Sequence, residues 1–359
     1  MTTCRVEFAS SGDDVGAYRL LQLPDDLIKR LEAGEPDLSL IIKGRSDDDA
    51  VICTQDKSYA LRQVVLSNTL LVVGGASSAD ADAADIVIRD QLSSILEMVP
   101  VVPKISGRLT AMLKDSEYRE GNEDESDGGE EEVEERAAKR KRVFYDEVMD
   151  SVQASDAEVI QSITAHHVLT LDGELRPLEH SYLAQILRLL LNAIVAQSMS
   201  PDAALIDELV LSMQEQDVAK DANIPDIARE IGLDVLRTSQ DSSVERLEFM
   251  NQWSNAVGES FTDSIDIKLL EGNCVVRDPG TASVQELVYL PRSSLPTDPG
   301  LLFNDLFLVK PRWQVDELAP FLRDVAVDSK ARDKLVLKWC RTTTDGQGIN
   351  WLTLRAKQV

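Results

Sequence analysis

Between Tyr18 and Val73 the chain reads YRLLQLPDDLIKRLEAG, LSLIIKG, DDDAVICT and KSYALRQVVLSNTLLVV, and this succession leaves little choice of fold for the N-terminal third. Pro24 suits a first helical position, Asp25 and Asp26 favour the positive N-terminal end of a helix, and Gly34 suits its stop. Leu27, Ile28 and Leu31 would give that short helix one apolar face. After Gly34 come runs rich in Ile, Val and Leu, broken by Gly44, Asp47–Asp49 and Asp56–Ser58, which read as successive strands. Residues 1–113 are expected to form a β-rich unit, a small barrel or sandwich rather than a parallel sheet. Pro100 and Pro103 mark a break before a last short helix. A barrel fragment of this size leaves strand edges open, and a partner's strand would complete them.

The same words carry a resemblance. RLLQLP, the EAG and IIKG pair, DAVICT with DKSYALR, and SNTLLVV resemble the N-terminal half of sister chromatid cohesion proteins of the Dcc family. A second match, LLFNDLFLVKPRWQVDELAPFL from Leu301 to Leu322, lies far downstream in the right order. The family belongs to the alternative, cohesion-type replication factor C clamp loader. The resemblance implies an α+β multidomain chain: an N-terminal partial β-barrel completed by partners, then tandem winged-helix domains. It implies as partners the C-terminal tail of the large ATPase subunit, a small partner subunit, the catalytic subunit of DNA polymerase epsilon, and DNA. The matched words are fold motifs, so no partner-contact residue is carried over.

Charge divides the chain unevenly. The formal net charge is −26, which argues against a general nucleic-acid binder. From Glu117 to Glu135 there are eleven acids and one arginine, whereas from Pro291 to the end eleven Lys/Arg outnumber eight Asp/Glu. An acidic protein with a mildly basic last sixth has a candidate nucleic-acid surface there. No apolar run is long enough to cross a bilayer, and the start MTTCRVEFASSGDD lacks the basic-then-apolar order of a signal peptide. Cys4, Cys53, Cys274 and Cys340 have no paired metal spacing and read as reduced, packed thiols of an intracellular protein.

Residues 114–142 read as a linker. GNEDESDGGEEEVEE has too much like charge and no apolar periodicity, and RAAKRKR follows it. Lys139, Arg140, Lys141 and Arg142 are either a nuclear import signal or a solvated cluster offsetting the acids. From Val143 the pattern turns helical: VFYDEVMDSV, DAEVIQSITAHH, a strand pair around Asp172–Gly173, SYLAQILRLLLNAIVAQS, and PDAALIDELVLSM opened by Pro201. Then come IPDIAREIGL, a helix from Ser243 to Val257 and a hairpin. LLFNDLF, QVDELAPFLRDV, SKARDKLVLKWCR and a strand pair around Asp345–Gly348 complete the chain. Two or three helices closed by a hairpin, three times over, suggest winged-helix units at 143–220, 221–295 and 296–359.

Catalytic and cofactor signatures are missing. There is no GxxxxGK[ST], and GGASSADAD has no lysine after it, so it reads as a loop. Adjacent helical residues point about 100° apart, so His166 and His167 do not share a metal. No nucleophile has a base partner in the sequence. A non-enzymatic protein without cofactors is expected.

Lys330, Lys334, Lys338 and Arg341 fall at about 0°, 40°, 80° and 20° on a helical projection, opposite Leu335, Val336 and Trp339. In a winged-helix unit this is the recognition-helix position, and RTTTDGQGINWLTLR supplies a wing with Arg341 and Arg355 as phosphate contacts. The stripe is either that or a solvated basic face. With no Asn or Gln in it, base-specific reading is not expected. Trp253, Trp313, Trp339 and Trp351 read as core residues. The expected function is that of a nuclear, non-catalytic clamp-loader subunit; the alternative is a winged-helix transcription regulator or another chromatin-binding adaptor.

Overall fold

Each of the N-terminal apolar runs becomes a strand in the computed structural model, which describes residues 6–9, 18–35, 38–44, 48–75, 86–119, 142–171, 173–196, 224–240, 242–277, 285–346 and 348–355. Cys4, most of GGASSADAD, the acidic run from 120 onward, Lys139, Arg140, Lys141 and PDAALIDELVLSM lie outside the described residues. The chain is mixed α+β and divides into two compact units. One comprises Met1–Val101 with Gln153–Glu158; the other comprises Val102–Val152 with Val159–Val359. The sequence alone places the end of the N-terminal unit near 113.

The N-terminal unit contains β1 (Val6–Phe8), β2 (Leu21–Gln22), α1 (Asp25–Glu32), β3 (Ile41–Lys43), β4 (Val51–Cys53), β5 (Ser58–Gly75) and β6 (Ile86–Pro100). Pro24 is the N-cap of α1, one position before the expected one, with Asp25 and Asp26 in the first turn. Gly34 has φ +67 just past the helix end, a conformation that suits glycine. The expected apolar face is only partly used: Leu27 is buried, but Ile28 and Leu31 are exposed. The strand order is β1-β6-β5-β4-β3, with β2 also on β6. β5 and β6 form a long antiparallel pair from Tyr59↔Pro100 to Gly75↔Ile86, with irregularities after Val65 and Val72. β1 and β2 both run parallel to β6, at Ile86–Ile88 and at Leu96–Glu97. The sheet is therefore mixed, and among the described residues it does not close into a barrel.

β4 covers β5 only at Ser58–Ala60. Beyond Leu61, that edge of β5 carries no strand among the described residues. Leu27, Ile52, Tyr59 and Met98 make a small core on one side of the sheet. Gln153–Glu158 adds polar ties. The Ser155 amide donates to Ser58 Oγ (2.9 Å), the Gln153 side-chain amide donates to the Asp49 carbonyl (2.6 Å), and Lys43 pairs with Asp156 (2.9 Å).

The C-terminal unit repeats one order of elements three times. The first set is α2 (Ile105–Leu113), Phe144 bridged to Glu174, α3 (Tyr145–Ser151), α4 (Asp156–Ala165, whose first three residues count with the N-terminal unit), and the hairpin β7 (Val168–Leu171) and β8 (Glu174–Pro177). α5 (His180–Ala196) follows. The second set is α6 (Ile224–Arg237), β9 (Val244–Glu245), α7 (Arg246–Val257), 3-10 turns at Glu259–Ser264 and Ile267–Leu270, and the hairpin β10 (Cys274–Arg277) and β11 (Glu286–Tyr289). The helix expected from Ser243 thus starts three residues later, because Val244 and Glu245 pair with Leu287 and Glu286.

The third set is α8 (Pro299–Val309), Trp313 bridged to Leu352, α9 (Val315–Leu318) with a 3-10 turn at Ala319–Leu322, α10 (Ser329–Trp339), and the hairpin β12 (Cys340–Thr344) and β13 (Asn350–Leu354). In all three the residue or short strand ahead of the second helix pairs with the second strand of the hairpin. One apolar cluster of this unit gathers around Trp253 and another around Trp313, while Leu109, Val148, Val159 and Leu175 are buried in the first set. The Trp253 indole N–H donates to the Ala228 carbonyl at 2.8 Å.

Candidate nucleic-acid interface

The last helix–hairpin set is built from ordinary local signals. The Asp328 carboxylate accepts from the Ala331 amide (2.7 Å) and starts α10. Leu335, Val336 and Trp339 are half-buried against the last core cluster, and Trp339 stacks on Phe303 at 6.2 Å. The opposite side carries Lys330, Lys334 and Lys338, all exposed. Arg332, at the edge of that row, pairs with Asp333 at 3.2 Å. No ion pair among the described residues engages the three lysines; the Lys338 ammonium lies 5.4 Å from the centre of the Trp339 ring.

Two details expected from the sequence change. Arg341 is not helical, because the helix ends at Trp339 and Arg341 is the second residue of β12, opposite Thr353. Its helical angle therefore has no meaning, and the helix stripe holds three cations rather than four; Arg341 is exposed and comes from the adjoining strand. Arg355 is exposed, but its Nε donates to the Cys340 carbonyl (2.7 Å) and its amide to the Trp339 carbonyl (2.9 Å), so it ties the base of the hairpin to the helix end. At the hairpin tip the Asp345 carboxylate accepts from the Trp351 indole (2.9 Å), and Gly348 has φ +82.

Sequence reasoning missed two neighbours. Leu337 projects among the lysines and is 67% exposed, which the same helical projection would have shown. Exposed Arg312 lies 5.1 Å from the centre of the Trp351 ring, and only the folded chain brings those two together.

The other residues singled out in the sequence have structural surroundings. The His166 ring nitrogen Nδ1 sits 2.8 Å from the Ser162 carbonyl, while His167, at φ +50, lies 3.5 Å from Glu230. No group of three metal-ligating residues gathers among the described residues. Burial pushes the Cys274 and Cys340 thiols up to about 12, far from thiolate chemistry at neutral pH. Arg142 is exposed. No described helix is long and apolar enough to cross a membrane.

The chain matches the family described as "Sister chromatid cohesion protein Dcc1" over residues 18–226 and 214–322, and it belongs to that family. Among curated relatives, the sister chromatid cohesion protein DCC1 of Xenopus tropicalis is 25% identical over 366 aligned residues, covering 93% of this chain and 88% of its own. The protein of that name from Homo sapiens is 23% identical, again over 93% and 88%. That of Saccharomyces cerevisiae is 23% identical over 90% of this chain and 93% of its own length. The family match stops at Leu322, ahead of α10.

Proposed function

We propose that this chain acts in sister chromatid cohesion as a nuclear, non-catalytic subunit of a cohesion-type alternative replication factor C clamp loader. The observation that carries this reading is the unfinished N-terminal sheet. β5 has an open edge beyond Leu61, and Ile42, Val65, Leu71 and Val73 stand exposed on β3 and β5. An open edge flanked by apolar side chains is what strand addition uses. The partners are the small loader subunit and the C-terminal tail of the large ATPase subunit, whose strands turn this partial barrel into a composite one.

The three helix–hairpin sets are then winged-helix domains. In the third, α10 is the recognition helix and β12–β13 the wing, offering Lys330, Lys334, Lys338 and Arg341 to DNA phosphates, with Arg355 at the wing base. The array also reaches the catalytic subunit of DNA polymerase epsilon. Lys139–Arg142 serves nuclear import.

Two experiments test this. Affinity purification of the full chain should recover loader subunits; recovery of none of them overturns the assembly role. Changing Lys330, Lys334, Lys338 and Arg341 to alanine should lower the slope of log affinity for duplex DNA against log salt by roughly 0.9 for each phosphate no longer neutralised. An unchanged slope in a folded variant makes the stripe a solvated face.

A further inference from the structure

A second site lies away from the basic helix. α2, the first hairpin, the start of α5 and the end of α6 line a half-open cavity of about 500 Å³, within the usual size of small-ligand sites. Its apolar part comes from Leu109, Leu113, Val168 and Leu178, and polar groups ring the rest.

Three carboxylates line it, yet each has an arginine. Asp234 pairs with Arg188 at 2.8 Å, and Arg119 sits 3.0 Å from Glu117 and 3.9 Å from Glu179. Neither Arg188 nor Arg119 lines the cavity. The cavity's own cations are treated differently. Lys114 and Arg237 both line it and have no ion pair among the described residues. The Arg237 Nε–H is out of contact with solvent and donates to no acceptor. A buried, unused guanidinium donor costs free energy unless an acceptor arrives. Lys114 and Arg237 thus face the pocket without a direct ion pair, although the charge of Arg237 also favours the ionised Glu230.

We propose that this cavity binds a phosphomonoester, presented by a phosphoserine- or phosphothreonine-bearing peptide. A phosphoryl group carries about −1.5 to −2 charges and three acceptor oxygens. Two cations match that charge; a carboxylate would leave one of them unanswered. The Arg237 guanidinium donates to the phosphoryl oxygens from its terminal nitrogens. Thr110 and Ser181 line the same cavity, and their hydroxyls can donate to the remaining oxygen. The apolar wall accepts the side-chain carbons of a phosphoamino acid. No Phe, Tyr or Trp lines the cavity; its aromatic rings are those of His166 and His180.

The test is calorimetric titration of the full chain at fixed ionic strength with N-acetyl-O-phosphoserine amide, N-acetylserine amide, inorganic phosphate and adenosine monophosphate. The phosphoserine derivative should bind more tightly than phosphate, and the unphosphorylated one should not bind. Arg237→Gln should weaken phosphoserine binding by at least roughly tenfold, the loss expected for a charge-assisted pair. Lys114→Gln, on the exposed rim, should weaken it as well without threatening the fold. Both variants should keep the wild-type salt slope for DNA. Absence of phosphoserine binding at millimolar concentration overturns the proposal, as does equal binding by the Lys114→Gln variant. Tighter binding of adenosine monophosphate than of phosphoserine overturns the peptide assignment.

Discussion

The two compact units bury their apolar residues to very different degrees. Among the described residues, fourteen large apolar side chains are exposed in the N-terminal unit and twelve in the C-terminal unit, although the latter has more than twice as many residues. The N-terminal cluster has four fully buried members, Leu27, Ile52, Tyr59 and Met98. The C-terminal unit instead closes around Trp253 and Trp313, both within 1% of complete burial. Helices and hairpins of neighbouring sets cover one another's apolar sides, as where Leu169 and Leu178 share a cluster with Trp253 and Leu287. The long β5–β6 pair has a narrower cover, and apolar side chains such as Val65, Leu71 and Val73 stay exposed on it.

The largest effect that would break this contrast is hydrogen exchange. In the isolated chain, outer-edge amides of β5 between Leu61 and Val73 should exchange roughly a hundredfold or more faster than those of α6, and should slow to comparable rates once loader subunits are added. Equal protection without partners would make the sheet complete as it stands. Next in size, Trp253→Ala should destabilise the C-terminal unit by about 3–5 kcal/mol in urea unfolding, as for other large core truncations. Gly232→Ala should cost about 1–3 kcal/mol by overpacking, because a Cβ there would lie 2.5 Å from Trp253 Cε2.

A smaller effect depends on pH. Burial works to raise the Glu230 pKa, but the hydrogen bond and charge of His167 and the charges of Arg229 and Arg237 outweigh it and hold the pKa below its ordinary value. The carboxylate therefore stabilises the fold above its unfolded pKa of about 4.3, and that contribution disappears as pH falls through the folded value. Glu230→Gln should flatten the acid limb of the C-terminal unit's stability profile; an unaltered limb would show the pair to be idle. Smallest of all, Val65→Thr should change isolated-chain stability by under about 0.5 kcal/mol, since Val65 is 78% exposed, while weakening partner capture.

What the sequence made legible was whatever local chemistry decides. The strand runs between Ser39 and Val73, the acidic first turn at Asp25 and Asp26, and the hairpins around Gly173 and Gly348 all appear where turn residues and apolar spacing put them. The lysine row of α10 was readable because helical periodicity is local too. Whether an apolar face finds a cover is not local: Ile28 and Leu31 have the spacing of a buried face and stay exposed. Arg341 was misplaced because Trp339 ends the helix, and a projection cannot sense that stop. The parallel pairing of β1 and β2 with β6, the cavity beside Arg237, and the stacking of Arg312 on Trp351 join residues distant in sequence, so no window of neighbours reveals them.

The six residues Gln153–Glu158 belong to the N-terminal unit although they follow it by some fifty positions. Ser58 finds its carboxylate acceptor there, on Glu158. On the ribosome, β5 and β6 therefore emerge before the residues that finish their polar ties have been translated. At roughly 5–20 residues per second the delay lasts seconds, long compared with the microseconds a hairpin needs to form. For that interval the nascent chain displays β5 and β6, the longest strands among the described residues, before the Gln153–Glu158 ties can form.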